Sequence, residues 1–229
     1  MFLSKAQKSV IERTINAFET GTSNGKYDAI SRYHDGPHKI RQITYGRSQT
    51  TEYGNLRQLI SDYADSGGKY SSDLKPYVKL IGVEPLVENQ DFIELLKKAG
   101  AEDPIMTAVQ DAFFDRVYFS PARRWADENG FLFPLSLLVI YDSYIHSGQI
   151  FWFLRKRFAG VPPGQQGNEK EWTRSYTTVR DTWLRTHSDK TVRASAYRTK
   201  DLLAQIDNDN WDLSQLPLVA NGVNVGPSP

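Results

Sequence analysis

Two carboxylates near the start of the chain are candidates for a pair that combines a general acid with a base or nucleophile. Glu19 lies at the end of a predicted helix, and Asp35 follows 16 residues later in an Asp-Gly-Pro turn. Cleavage of a glycosidic bond needs one protonated carboxyl for the leaving oxygen and one ionised carboxylate to activate water or attack the sugar. A carboxylate at a helix end and a turn-forming Asp also occur for purely structural reasons. The meaning of the pair therefore depends on the elements that carry it.

Helical periodicity predicts most of those elements. Apolar residues at helical spacing predict a first helix over residues 4–19, with Ser4 as its N-cap. Turn residues around Asp35 predict an irregular β-hairpin or small sheet within 27–49. The Gly- and Pro-containing tail, 217–229, is expected on the surface. Further helices are predicted over 55–64, 72–81, 90–99, 104–114, 120–129, 134–146, 169–186 and 192–205.

The composition excludes several functional classes. The 229 residues carry a formal net charge of +1, which argues against a dedicated nucleic-acid binder. The absence of cysteine rules out disulfide scaffolds, Cys–zinc sites, iron–sulfur clusters and Cys nucleophiles. His34 and His38 lie on a predicted turn, where two solvated histidines are favoured over a zinc site. We therefore expect no metal and no cofactor, and no apolar run is long enough to predict a transmembrane helix.

Five blocks of sequence, in order along the chain, carry a family resemblance. The first block combines Glu19, Tyr27, Asp35 and Gly46. The others are LRQLISDY at 56–63, DRVYFSPA at 115–122, YDSYIHSG at 141–148, and the arginine pair Arg180 and Arg193. Together they cover roughly residues 10–213, and they resemble the glycoside hydrolase family 46 chitosanases of the lysozyme-like superfamily. Because the blocks keep their order, the resemblance is more specific than any one of them alone.

The resemblance implies a role for each matching residue. Glu19 would be the general acid, and Asp35 the general base that activates water. The implied reaction inverts the anomeric centre, which requires the two carboxyls to stand about 6.5–9.5 Å apart. Asp142, Arg180 and Arg193 would form a buried charge relay behind the catalytic carboxylates. Tyr27, Arg41, Tyr45, Glu52 and His146 are the candidate substrate-binding residues.

The implied fold is mainly α, of the α+β lysozyme-like kind, with a small β-sheet near the N-terminus. We expect a single catalytic domain over 1–229, made of two helical lobes with a cleft between them. One lobe would take in about residues 1–70 plus the C-terminal helices, and the other 71–165. A monomer is expected, with a polysaccharide or oligosaccharide as substrate and no nucleic acid or membrane as partner. The protein would be secreted or periplasmic if a leader was removed.

The hairpin departs from the family pattern. The family has Thr or Ser five residues after the Asp, where it helps to hold the water, whereas this chain has Ile40. Thr44, two residues before Gly46, is the expected replacement. The family Arg two residues after the Asp is Pro37 here.

These departures leave the substrate open. Chitosan is a polycation that should be gripped by carboxylates, yet residues 31–47 are basic. The leading hypothesis is internal cleavage of a chitosan-like amino-sugar polymer. The alternatives are a peptidoglycan hydrolase on the same scaffold, and a non-catalytic glycan-binding module.

Overall fold

The computed structural model describes residues 1–47 and 49–226, which group into two compact units. Unit 1 combines the first 23 residues with the chain from Arg116 onward, and unit 2 is the continuous stretch Asn24–Asp115. This division runs at 23/24 and 115/116, whereas the expected lobes were divided near residue 70. Whether the chain is a single catalytic domain stays a prediction.

Unit 1 is built from helices and one short hairpin. Its last two strands, Leu218–Ala220 (β4) and Val223–Val225 (β5), pair antiparallel, with Leu218 opposite Val225. Its first helix is Lys5–Thr20 (α1). The remaining helices of unit 1 are Ser120–Glu128 (α6), Pro134–Ser147 (α7), Trp152–Arg155 (α8), Glu169–Thr186 (α9), Lys190–Ala194 (α10) and Ala196–Asp207 (α11).

Helix α1 begins and ends where its sequence dictates. Ser4 caps the N-terminus by accepting a hydrogen bond from the Gln7 amide, and the Gln7 side chain returns to the Ser4 backbone. Gly21 ends the helix with φ 69°, and its N–H donates to Ala17. Ile11 and Ile15 are fully buried at helical spacing. Burial of such a side chain stabilises the fold by about 1.5–3 kcal/mol, so the apolar face fixes the rotation of the helix and the direction in which Glu19 points.

Among its described residues, unit 2 contains the small sheet and four α-helices. The sheet has the order β1–β2–β3, with all pairs antiparallel. Its strands are Ile30–Tyr33 (β1), Gln42–Tyr45 (β2) and Thr50–Thr51 (β3). The helices are Leu56–Ala64 (α2), Ser71–Leu74 (α3), Gln90–Glu102 (α4) and Pro104–Phe114 (α5).

Strand β2 separates two faces of the sheet. Successive residues of a strand point to opposite faces, so Ile43 and Tyr45 share one face, and Gln42 and Thr44 share the other. Ile43 and Tyr45 are fully buried in the core of unit 2. The Gln42 face carries polar residues on all three strands, because Thr44 lies opposite Ser31 on β1 and Thr51 on β3.

The expectation of a mainly helical fold with a small sheet is confirmed. Two predicted helices are in fact broken. The one predicted over 72–81 consists of α3 and a 3₁₀ segment, Lys75–Lys79, and the one over 192–205 divides into α10 and α11 at Ser195. The tail was expected on the surface, but it contains β4 and β5, and several of its residues, including Leu218, are buried. Residues 227–229 of that tail lie outside the described residues.

The structure also contains short helical segments that are not α-helices. A π-helical segment covers Asp115–Phe119, and further 3₁₀ turns cover Pro37–Lys39 and Pro163–Gln165. Within residues 1–47 and 49–226, no helix is long and apolar enough to cross a membrane.

Candidate active site

Glu19 lies in the last turn of α1 and is mostly buried, with 13% of its side chain exposed. Its Oε1 accepts a hydrogen bond from Arg198 Nη1 at 2.6 Å. Arg198 lies on α11, next to Tyr197, whose hydroxyl donates to the Phe18 carbonyl at 2.6 Å. Two neighbouring residues of α11 therefore attach to the end of α1, one at the backbone and one at the carboxylate.

Asp142 connects this pair to a second arginine. The carboxylate of Asp142, on α7, is fully buried, and its Oδ1 accepts a hydrogen bond from Arg198 Nε at 2.8 Å. Its Oδ2 accepts one from Arg180 Nη1, on α9, at 2.5 Å. We call Glu19, Arg198, Asp142 and Arg180 the buried charge network. Its two carboxylates and two guanidinium groups balance in charge, which is the condition for keeping such groups away from water.

The network separates the pKa values of its two carboxyls. Burial raises the pKa of Glu19, and the opposing charge of Arg198 does not cancel this effect. Burial also acts to raise the pKa of Asp142, but the charges of Arg198 and Arg180 and their hydrogen bonds lower it to about 2. Asp142 is thus a permanent anion, whereas Glu19 is the carboxyl that holds its proton longer. Two carboxyls whose environments push their pKa values apart are typical of an acid site.

Arg198 occupies the place that sequence reasoning gave to Arg193, so that assignment is corrected. Arg193 lies on α10 and donates from Nη1 to the backbone carbonyls of His187 and Ser188. Asp142 and Arg180 pair with each other in the buried charge network, and their supporting role stays a prediction. In sequence, Arg198 is an ordinary basic residue of an amphipathic helix, and nothing in that pattern indicates that its side chain is buried.

His146 lies near the C-terminal end of α7, one turn after Asp142. Burial, together with the charges of Arg180 and Arg198, lowers its pKa to about 3. Its Nδ1 lies 3.3 Å from the Ser147 hydroxyl. His146 is therefore a neutral, half-buried ring beside the buried charge network, and its contact with substrate stays a prediction.

Asp35 lies in unit 2, on the exposed turn between β1 and β2. The turn is closed by the Gly36 N–H, which donates to the Ile40 carbonyl at 3.1 Å. The Asp35 carboxylate accepts a hydrogen bond through Oδ1 from Gln42 Nε2 at 3.0 Å. Asp35 thus faces water while one of its oxygens is tied to strand β2, an arrangement suited to a base that must meet a water molecule.

Thr44 lies on the same face of β2 as Gln42. Its side chain is buried, and its hydroxyl has no hydrogen-bond partner within the part of the chain that the structure describes. Buried polar groups without a partner are rare and call for an explanation such as a bound water or a catalytic role. Sequence analysis selected Thr44 as the water-holding residue, and its unpartnered hydroxyl favours that role.

Two of the candidate substrate-binding residues lie at the surface of unit 2. Tyr27 donates from its hydroxyl to Asp111 Oδ1 at 2.9 Å, and burial raises its pKa to about 12. Arg41 pairs with Glu88, which also lies 3.7 Å from Arg32. Both candidates keep part of their side chains exposed, so their contact with substrate stays a prediction.

The other two candidates in unit 2 are structural, and their prediction as substrate-binding residues is wrong. Tyr45 is fully buried, and its hydroxyl donates to the Leu96 carbonyl at 2.7 Å. Glu52 is 1% exposed, and its carboxylate accepts from the Ile43 amide at 3.0 Å and the Leu86 amide at 2.6 Å. Each side chain holds the sheet against the segments that follow it, so neither is free to meet a ligand.

The donor sets offer no metal centre. No group of three or more His, Asp or Glu side chains within residues 1–47 and 49–226 is arranged to hold a metal ion.

Comparison with known proteins adds independent information. The family model of glycosyl hydrolase family 46 matches residues 13–218. A chitosanase of Bacillus subtilis (strain 168) is 30% identical over 192 residues, which are 78% of this chain and 67% of that protein. The crystal structure of a native chitosanase from Bacillus subtilis MY002 has a TM-score of 0.80 at 24% identity, covering 96% of this chain and 97% of its own. A family 46 chitosanase from Gynuella sunshinyii, solved with chitotetraose, has a TM-score of 0.82 at 23% identity, covering 100% and 99%.

Proposed function

Because the chain belongs to glycosyl hydrolase family 46, we propose that it cleaves chitosan internally with inversion of the anomeric configuration. The chain is a glycoside hydrolase, and the relative that is 30% identical to it is a chitosanase. The observation that carries the proposal is the contrast between two carboxyls. Glu19 is buried, and this burial raises its pKa despite the hydrogen bond from Arg198, whereas Asp35 is exposed to water on a turn.

The proposed mechanism gives each carboxyl one proton transfer. Glu19 donates its proton to the glycosidic oxygen, and the bond between that oxygen and the anomeric carbon breaks. Asp35 removes a proton from a water molecule, whose oxygen attacks the anomeric carbon from the opposite face. The unpartnered hydroxyl of Thr44 contacts this water. Arg198 and Asp142 position Glu19, and they do not take part in the proton transfers.

Ion pairing answers the objection that residues 31–47 are too basic for a cationic substrate. Arg41 and Arg32 both lie against Glu88, and Arg47 pairs with Asp111. These carboxylates offset much of the positive charge seen in the sequence, which supports chitosan over an anionic glycan such as peptidoglycan. A polymeric substrate also supports a secreted or periplasmic location, and we propose that the enzyme acts as a monomer.

A reducing-end assay on soluble chitosan and on purified peptidoglycan tests the proposal. We expect turnover on chitosan, and a loss of about 10³-fold in kcat in both Glu19→Gln and Asp35→Asn, because each removes one proton transfer. Glu12→Gln on the same helix and Asp73→Asn on the surface of unit 2 are matched controls that should retain activity. Proton NMR of the first product should show the anomer opposite to that of the substrate.

Each other outcome has a definite meaning. Turnover on peptidoglycan alone would keep the mechanism and overturn the substrate. Near-full activity in either carboxyl variant would refute that residue's role. Oligosaccharide binding without any product on long incubation would favour the glycan-binding module.

A further inference from the structure

Gln42 occupies an unusual position beside the proposed base. Its side chain is buried on the polar face of β2, and its amide bridges two groups. Its Nε2 donates to Asp35 Oδ1 at 3.0 Å, and its Oε1 accepts from the Tyr53 backbone N–H at 3.2 Å. One side chain thus links the turn that carries Asp35 to the segment that follows β3.

The contact with Tyr53 fixes which way the Gln42 amide points. A backbone N–H can only donate, so the amide oxygen must face Tyr53. The amide NH₂ must then face Asp35. The assignment of oxygen and nitrogen in this side chain therefore follows from its partners, and the group that meets the carboxylate is a hydrogen-bond donor.

The turn is shaped to lie directly over this amide. A Cβ added at Gly36 would stand 2.6 Å from Ile40 Cγ2 and 3.4 Å from Gln42 Cδ, so any side chain at position 36 would force the turn away. The carbonyl of Ile40 closes the turn through its hydrogen bond from Gly36. The backbone of Ile40 therefore closes the turn, and the side chain of Gln42 holds the Asp35 carboxylate.

We infer that Gln42 is a positioning residue that holds Oδ1 of Asp35 and thereby turns Oδ2 toward the attacking water. The inference rests on the proposed function, because it requires Asp35 to be the base. A fixed carboxylate matters because a small displacement of a reacting group costs a large factor in rate. Gln42 touches neither substrate nor water in this role, and it acts through Asp35.

The first test compares two buried glutamines of unit 2. Gln42→Met should lower kcat by about 10-fold to 100-fold and leave KM within about 2-fold, because orientation of the base is lost while binding is kept. Gln110 is also buried, and its amide bonds the Tyr27 carbonyl and the Arg47 amide. Gln110→Met should lower the melting temperature to a similar degree but change kcat by less than about 3-fold.

The second test uses Gln42→Glu, which keeps the shape of the side chain and its acceptor for Tyr53. At neutral pH the new carboxylate has no proton to donate and repels Asp35. As the pH falls from about 7 to about 5, a growing fraction of the new carboxyl is protonated and can donate as the amide does. We therefore expect the ratio of its kcat to that of the wild type to rise on acidification. A merely structural role would leave this ratio constant.

Asp35→Asn, assayed in parallel, distinguishes a failure of the proposed function from a failure of the role inferred for Gln42. If Asp35→Asn keeps near-full activity, Asp35 is not the base and the proposed function fails. If Asp35→Asn is inactive while Gln42→Met keeps the wild-type kcat, only the inference about Gln42 is overturned. A pH-independent ratio for Gln42→Glu, with Asp35→Asn inactive, would overturn it equally.

Discussion

The acid and the base of the proposed reaction are held in opposite ways. Glu19 is bound by Arg198, which is held in turn by Asp142 and, through Asp142, by Arg180, so three further helices of unit 1 support the acid. Asp35 stands on an exposed turn of unit 2 and is tied by the side-chain amide of Gln42. A general acid needs an environment that delays loss of its proton, and burial provides one. A base that activates water must be reached by water, so a lightly supported carboxylate suits that task.

The two carboxylates also differ in how far away their partners lie in sequence. Arg198 is 179 residues from Glu19, whereas Gln42 is seven residues from Asp35. A change in the buried charge network disturbs several helices at once. A change in the turn disturbs mainly residues that lie close to it in sequence. The comparison predicts large stability effects around the acid and mainly kinetic effects around the base.

The largest effect is expected at Asp142. Asp142→Asn leaves Arg180 and Arg198 buried with too little negative charge, which should cost about 3–5 kcal/mol of unfolding free energy. Denaturant unfolding measures this loss. Asp207→Asn is the control, because Asp207 pairs with Arg174 at the surface and should contribute less than about 1 kcal/mol. Equal effects in the two variants would contradict the view that the network supports unit 1.

A smaller effect is expected from Arg198→Lys. A lysine ammonium lacks the planar fork with which Arg198 meets Glu19 and Asp142 together, so we expect a loss of about 2 kcal/mol in stability and about 10-fold in kcat. Arg193→Lys should change both far less, since its partners are two backbone carbonyls. The reverse ranking, in unfolding and in chitosan turnover, would restore Arg193 to the network.

Near the proposed base, Thr44→Val should lower the catalytic rate without lowering stability. The hydroxyl is buried and unpartnered within the described residues, so its replacement by a methyl group removes no hydrogen bond and should keep or raise the melting temperature. If the hydroxyl holds the attacking water, kcat should still fall by about 10-fold. An unchanged kcat would refute the role of Thr44, whatever the melting temperature.

The smallest effect concerns the pH dependence of stability. Burial raises the pKa of Glu19, so its contribution to stability is fully present below the unfolded value of 4.5 and is lost as the pH rises through the folded value. Glu19→Gln cannot ionise and should lose less stability than the wild type between about pH 4 and pH 8. Melting temperatures across that range measure the difference, with Glu12→Gln as control. If the wild type instead became more stable relative to Glu19→Gln as the pH rises, the charge of Arg198 would outweigh the effect of burial on the Glu19 pKa.

Local sequence signals predicted the elements well where they were strong. Helix α5 and helix α9 begin and end at the predicted residues, because Pro104 starts one and apolar periodicity runs through the other. The break at Ser195 was missed because the periodicity continues across it. Strands β4 and β5 were missed since three-residue strands are too short to show alternation among Gly and Pro.

Among the candidate site residues, too, those in recognisable motifs were predicted and those that depend on tertiary packing were not. Glu19, Asp35, Asp142 and Arg180 were selected from motifs, and each has a hydrogen-bond partner in the structure, while the role implied for each stays a prediction. Arg198 and Gln42 were missed, because only packing shows that an arginine of an amphipathic helix and a glutamine of a strand meet these carboxylates. The interpretation of Glu52 was wrong for the converse reason, since its carboxylate, just after β3, accepts hydrogen bonds from two backbone amides. Residue type predicts which interactions a side chain can make, whereas tertiary packing determines which residues it contacts.

The chain order of unit 1 has a consequence for synthesis on the ribosome. Helix α1 is made before unit 2, whereas its partners β4 and β5 and the guanidinium of Arg198 are made after unit 2. At about 5–20 residues per second, Arg198 is synthesised roughly 10–35 s after Glu19. Every residue of unit 2 is made within that interval. The acid half of the enzyme is therefore the last to be completed, and a chain interrupted before residue 198 carries the proposed base without a functional acid.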